Sequence, residues 1–254
     1  MSRVPLPQAF LRRPIAHRAY HDRAAGRPEN SAEAIRAAVE AGYGIEVDVQ
    51  LTEDGAAVVF HDDDLKRLTG VAGPVRGRTA SALADLPLLG GTTGAPTLVE
   101  ALGLVQGRVP LLVEIKDQDG AMSAGGVGPL EEATARALHG YEGEVAVMSF
   151  NPHSVAAMAD LAPDVPRGLT TSAYDPDGWP TLPAGVRDRL RGIPDYDGTG
   201  ASFISHEAAD LSRPRVAELK AAGAAILTWT IRSAAAERAA RAVADNVTFE
   251  GYPA

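Results

Sequence analysis

Several features are missing from this 254-residue sequence, and their absence narrows the class of protein. It contains no cysteine, which excludes disulfides, thiol nucleophiles and cysteine-based metal sites. No apolar run approaches the roughly 18 residues of a membrane span, so no stable membrane insertion is expected. Basic residues are outnumbered by acidic ones, 24 to 33, giving a net charge of -9 that argues against nucleic acid as the main partner. The composition is that of an ordinary globular protein.

The N-terminal residues also lack the uninterrupted apolar core of a signal peptide. Pro5, Pro7, Arg12 and Arg13 interrupt the stretch in which such a core would lie. We therefore expect a cytoplasmic location. Oligomeric state is not specified by any pattern in the sequence.

Short apolar runs alternate along the chain with alanine-rich amphipathic segments. Repeated strand–helix units predict parallel strands joined by right-handed crossovers. About eight such units in this length predict one (β/α)8 barrel domain over residues 1–254, with the active site at the C-terminal ends of the strands. A doubly wound open sheet is the alternative, although no Gly-x-Gly-x-x-Gly turn follows the first strand candidate. The strand candidates are 14–17, 45–51, 56–60, 110–116, 144–149, 167–170, 202–205, 225–230 and 246–249.

Two segments are predicted to be long loops rather than regular structure. Residues 117–128 are rich in glycine, and residues 174–200 are rich in proline and glycine. Loops of this length in compact domains are usually functional.

Carboxylates on two strand candidates indicate a metal site. Glu46 and Asp48 share one face of their strand because residues two apart point the same way. Glu114 lies within the apolar run LLVEIK, with Lys116 on the same face. Buried carboxylates repel one another unless a cation neutralises them, and oxygen ligands without cysteine favour Mg²⁺ or Ca²⁺. The alternative for Glu46 and Asp48 is an edge strand whose polar face lies in water.

Two histidines at the ends of apolar runs could supply acid–base catalysis. His17 and His61 are followed by Arg18 and Asp62, and imidazoles titrate near neutral pH. Arg18 could bind an anionic substrate, and Asp62 could orient the neighbouring imidazole. Taken singly, either histidine could instead be structural.

Three further residues have two interpretations each. Lys116 could bind a substrate phosphate or pair with Glu114. Trp229 could form a pocket wall or pack in the core. Glu29 could contact substrate or metal, or cap the following helix.

Together these residues resemble the glycerophosphodiester phosphodiesterase family along nearly the whole chain. The matching segments, in order, are His17-Arg18-Ala19, Pro28-Glu29-Asn30-Ser31, Glu46-Val47-Asp48, Thr52-Glu53-Asp54-Gly55, His61-Asp62, Pro96-Thr97-Leu98, Val113-Glu114-Ile115-Lys116, Ser149-Phe150-Asn151 and Thr228-Trp229-Thr230. The chain departs from the family pattern at three positions. Ala19 replaces the usual glycine, Arg232 stands where asparagine is frequent, and Glu250 stands where aspartate is usual.

The resemblance implies a barrel enzyme that uses one divalent cation to hydrolyse glycerophosphodiesters to glycerol 3-phosphate and an alcohol. The implied ligands of this cation are Glu46, Asp48 and Glu114, with Glu29 a possible fourth. His17 and His61 would be the acid–base pair, while Arg18 and Lys116 would bind the phosphate, with Trp229 beside the substrate. Two alternatives remain: a cyclising phosphodiesterase of the lysophospholipase D type, and a barrel that binds a phosphorylated ligand without turnover.

Overall fold

Eight parallel strands form a closed barrel in this computed structural model, which describes residues 3–254. Strand β1 pairs with both β2 and β9, which closes the barrel. The short strand β3 pairs antiparallel with the C-terminal end of β2. The open-sheet alternative is therefore wrong, and the barrel prediction is confirmed. The strands are β1 (Ile15–Ala16), β2 (Gly44–Leu51), β3 (Ala57–Val59), β4 (Leu111–Ile115), β5 (Val145–Ser149), β6 (Arg167–Thr171), β7 (Phe203–Glu207), β8 (Ala225–Ile231) and β9 (Asn246–Phe249).

Helices connect the barrel strands and pack on their outer faces. Side chains cap several helix starts, among them Ser31, which accepts a hydrogen bond from Ala34 N, and Thr97, which forms a capping box with Glu100. None of the helices within residues 3–254 has the length and apolar character needed to cross a membrane. The helices are α1 (Ala9–Arg12), α2 (Ala32–Ala41), α3 (Lys66–Thr69), α4 (Ala80–Ala84), α5 (Leu98–Val105), α6 (Pro129–Leu138), α7 (Pro152–Leu161), α8 (Ala184–Arg191), α9 (Pro214–Ala221) and α10 (Ala234–Ala240).

Alternation along each strand separates an outer apolar layer from the barrel interior. In β4, Leu111 and Val113 belong to the large cluster that contacts the helices, whereas Leu112 belongs to a smaller cluster with Phe10 of α1. Asn246 donates two hydrogen bonds of 2.6 Å to the carbonyls of Phe10 and Arg13. The N-terminal segment therefore closes the lower end of the barrel.

The prediction of an irregular segment over 174–200 is wrong in part, because it contains α8. Only Leu190 of that helix is buried, so the sequence shows no apolar stripe of helical period. Leu190 packs with Tyr174 and Leu182 in a separate small cluster. The segment 117–128 is irregular apart from a 3-10 turn at Ala124–Gly126.

Candidate active site

Three buried carboxylates converge at the upper end of the barrel. Glu46 and Asp48 alternate with the outward-facing Ile45 and Val47 along β2, so both point inward. Asp48 is the register partner of Glu114 on β4. Each of the three carboxylates is at most 6% exposed, and their ligand oxygens lie within 4.8 Å of one another. The edge-strand alternative is therefore wrong.

Cationic and neutral donors surround this carboxylate cluster. Lys116 Nζ lies 2.7 Å from Asp48 Oδ1 and also contacts Glu114 Oε1. Asn30 Nδ2 donates to Asp48 Oδ2 at 2.9 Å, and the Arg18 backbone N–H donates to Glu46 Oε2 at 2.7 Å. The predicted pairing of Lys116 with Glu114 is thus present in the structure.

The pKa values of the two carboxylates of β2 are shifted in opposite directions. Burial and the neighbouring charges of Asp48 and Glu114 raise the pKa of Glu46 well above its usual value. Burial also opposes ionisation of Asp48, but Lys116, His61 and Arg18 together hold the pKa of Asp48 below its usual range. The three carboxylates supply the oxygen donors that a hard divalent cation prefers. Such a cation would also compensate the excess negative charge around Glu46.

His17 is oriented by a carboxylate that directly follows the last barrel strand. Glu250 Oε2 lies 2.6 Å from His17 Nδ1 and 3.4 Å from His21 Nε2, while Arg232 Nε donates to Glu250 Oε1 at 2.8 Å. Burial lowers the pKa of His17, although its hydrogen bond to Glu250 acts in the opposite direction. Neutral His17 therefore directs its Nδ1–H at Glu250, which leaves Nε2 as an acceptor.

His61 has the same arrangement after β3. Its Nδ1 lies 2.7 Å from Asp62 Oδ1, in agreement with the orienting role predicted for Asp62. Hydrogen bonds from His61 and Arg67 lower the pKa of Asp62 despite partial burial, so Asp62 is a carboxylate at neutral pH.

The backbone at Arg18 and Ala19 is left-handed, with φ values of 51° and 65°. This conformation directs Arg18 N at the side chain of Glu46 and Ala19 N at the backbone carbonyl of Glu46, 2.9 Å away. Residues other than glycine adopt this left-handed conformation at a cost of roughly 1–2 kcal/mol. Ala19 is buried in the large apolar cluster, so its methyl group recovers part of that cost.

Replacing Ala19 by valine is expected to lower the free energy of unfolding by about 2 kcal/mol, since a β-branched residue resists positive φ and Ala19 is buried in a packed cluster. Ala19→Gly is the matched control and should lie within about 1 kcal/mol of the wild type, because relief of strain offsets the lost methyl burial. Urea denaturation measures both. Equal stability of the valine and glycine variants would contradict this account.

Aromatic rings form the wall of an adjoining cavity of about 440 Å³. The ring centroid of Phe150 lies 4.9 Å from Trp179 and 5.6 Å from Trp229, both near edge-on. Trp229 is half-buried and donates its indole N–H to the Ser205 carbonyl at 2.9 Å. His61 and Lys116 line the same cavity as Phe150 and Trp179.

The structure thus brings together the predicted residues His17, Arg18, Glu46, Asp48, His61, Glu114 and Lys116. Glu29 lies apart from the carboxylate cluster, and its oxygens accept hydrogen bonds from Arg18 and Arg67. Sequence reasoning assigned no role to Arg67 or Trp179 and left Glu250 undecided. The position of Glu250 directly after β9, the strand beside β1, was the available signal for its contact with His17.

Comparison with known proteins agrees with this geometry. Residues 17–248 match the glycerophosphoryl diester phosphodiesterase family. The chain is 34% identical over 162 residues to the protein YqiK of Bacillus subtilis, and 35% identical over 151 residues to a glycerophosphodiester phosphodiesterase of Caldanaerobacter subterraneus. These alignments cover 60% and 56% of the chain, but only 65% and 60% of the relatives.

A solved structure extends the likeness to the whole fold. The chain superposes with a TM-score of 0.76 and 25% identity on an Oleispira antarctica phosphodiesterase in complex with its product sn-glycerol-3-phosphate, covering 96% of each chain. The resemblance inferred from the motifs is confirmed, and the chain belongs to the glycerophosphoryl diester phosphodiesterase family.

Proposed function

We propose that the protein is a metal-dependent phosphodiesterase that hydrolyses glycerophosphodiesters to sn-glycerol 3-phosphate and an alcohol. The observation that carries this proposal is the meeting of two carboxylate-oriented imidazoles with three buried carboxylates and Arg18 at one end of the barrel. Family membership and the product named for the Oleispira relative support the same chemistry.

Glu46, Asp48 and Glu114 would hold one Mg²⁺ or Ca²⁺ ion, since all three offer hard oxygen donors within 4.8 Å. When bound, the ion supplies Lewis-acid stabilisation of the charged phosphoryl oxygens. Glu29 is assigned to Arg18 rather than to the ion, because Arg18 and Arg67 occupy both of its oxygens.

Arg18 is the proposed phosphate-binding group. Its Nε is buried without a hydrogen-bond partner in the described part of the chain, 3.7 Å from Asp48 Oδ2. A buried guanidinium N–H with no partner is costly, and a substrate phosphate oxygen would satisfy it. Lys116 has a third ammonium proton left after its contacts with Asp48 and Glu114, and this proton is proposed to reach the same phosphate.

The two imidazoles take opposite roles in the proposed reaction. Neutral His17 accepts the proton of a glycerol hydroxyl, whose oxygen attacks phosphorus. The bond from phosphorus to the alcohol breaks, and His61, as the general acid, donates a proton to the leaving oxygen. Water then opens the cyclic phosphate with the roles reversed. An internal nucleophile is already positioned by its own covalent bonds, which removes the entropic cost of orienting a second reactant.

A cyclising reaction on lysophospholipids is the second candidate, and the aromatic wall of Phe150 and Trp179 favours it. Phosphorus NMR of the product separates the two, because hydrolysis ends at a phosphomonoester and cyclisation ends at a cyclic diester. We expect a panel of glycerophosphodiesters with Mg²⁺ or Ca²⁺ to give sn-glycerol 3-phosphate. Binding of substrate with no phosphorus-containing product would support a non-catalytic barrel instead.

A further inference from the structure

Arg67 lies outside the groups that would touch substrate, yet its guanidinium joins two carboxylates of the site. It belongs to the short helix α3, after β3. Its Nε and one terminal nitrogen donate to Asp62 at 2.6 and 2.9 Å. Its two terminal nitrogens donate to Glu29 at 2.8 and 2.7 Å. Four hydrogen bonds from one planar guanidinium fix both carboxylates in position relative to each other.

Each of these carboxylates holds a different functional side chain. Asp62 accepts from His61 Nδ1 at 2.7 Å, and Glu29 accepts from Arg18 at 2.7 Å. Asp62 and Glu29 are 25% and 15% exposed, whereas Arg67 is 47% exposed at the rim. The hydrogen bonds therefore run without a gap from His61 through Asp62, Arg67 and Glu29 to Arg18.

The charges along this path are balanced only when Arg67 is included. Without Arg67, Asp62 would face only a histidine, and Glu29 would share a single cation with Asp48. Removing one partner leaves a partly buried carboxylate without a compensating charge, which is costly, so we expect Asp62 and Glu29 to lose their fixed positions without Arg67.

We propose that Arg67 is a positioning residue that couples the acid–base imidazole of His61 to the phosphate-binding guanidinium of Arg18 through Asp62 and Glu29. The proposal rests on the proposed function and identifies how two of its groups are held at a fixed separation. Arg67 itself does not contact the reacting atoms. Its expected effect is that of an outer-layer hydrogen-bond partner, on the order of 10–100-fold in activity.

The test measures kcat and KM for Arg67→Gln, Arg67→Lys and the control Arg36→Gln. Arg36 is an exposed arginine of α2 that forms no ion pair within residues 3–254. We expect Arg67→Gln to lower kcat about tenfold or more and to raise KM, because His61 and Arg18 are both released. Arg67→Lys should recover little, since an ammonium cannot reproduce the planar fork. The control should stay at the wild-type value.

Two readouts separate positioning from a general loss of structure. In Arg67→Ala, methylguanidinium in solution should restore part of the lost kcat. The double variant Arg67→Gln, Asp62→Asn should be close to Asp62→Asn alone, because both changes break the same path. Additive losses, or a lower melting temperature with unchanged kcat and KM, would overturn the proposal.

Binding of sn-glycerol 3-phosphate, followed by calorimetry, keeps the test independent of turnover. Weaker binding to Arg67→Gln than to Arg36→Gln supports the coupling to Arg18, and equal binding refutes it. Wild-type protein that binds this ligand but releases no alcohol refutes the proposed function and leaves the result on Arg67 intact.

Discussion

Replacing either His17 or His61 by alanine is expected to lower kcat by about 10²–10⁴-fold, which is the usual contribution of a positioned acid or base. Each imidazole has its Nδ1 on a carboxylate, Glu250 or Asp62, so its Nε2 is the atom free to exchange a proton with substrate.

The loss should appear in single-turnover rates with little change in melting temperature, since both histidines lie at the solvent-facing end of the barrel. His153→Ala is the matched control, because His153 is exposed on α7. Burial lowers the pKa of His17, so the acid limb of the kcat/KM profile should lie at a lower pH than an unperturbed imidazole would give. If either alanine variant kept more than half of the wild-type kcat, its assigned role would be wrong.

Glu46→Gln is expected to abolish divalent-ion binding while leaving the metal-free protein as stable as the wild type or more stable. The loss of affinity should exceed about 100-fold, because even outer ligands of metal sites contribute 10–100-fold. Glutamine keeps an oxygen that can accept the Arg18 backbone N–H, so the local fold is retained.

The sign of the stability change follows from the raised pKa of Glu46. A carboxyl whose folded pKa lies above its unfolded value stabilises the fold at low pH, and this contribution is lost as pH rises through the folded pKa. The metal-free wild type therefore loses this contribution as pH rises above the ordinary carboxyl range, whereas the uncharged side chain of Glu46→Gln has no such loss.

Thermal unfolding with chelator and with Ca²⁺ or Mg²⁺ tests both parts. The wild type should gain about 2.7 kcal/mol at an ion concentration 100 times its dissociation constant, and Glu46→Gln should gain none. Chelation should also stop alcohol release from the wild type, and added ion should restore it. Equal stabilisation of the variant by the ion would remove Glu46 from the ligand set.

Local patterns in the sequence were sufficient to predict the barrel and the inward-facing carboxylates of β2. The strand–helix repeat follows from side-chain periodicity, and the two-residue spacing of Glu46 and Asp48 fixes their common face. Ser31 and Thr97 each cap the helix that follows directly in the sequence, because capping is a short-range interaction. The same reasoning missed α8, where a single buried leucine leaves no periodic signal.

Contacts between distant parts of the chain were decided only by the tertiary structure. Closure of the barrel places β9 beside β1, which brings Glu250 to His17 across 233 positions of sequence. Arg67 lies 38 residues from Glu29, and no short-range pattern links the two. Local periodicity determines which face of a strand a residue occupies, but strand order and loop paths determine its neighbours. The sequence alone therefore determined the fold class and the candidate chemical groups, whereas the pairing of each imidazole and guanidinium with its carboxylate required the closed barrel.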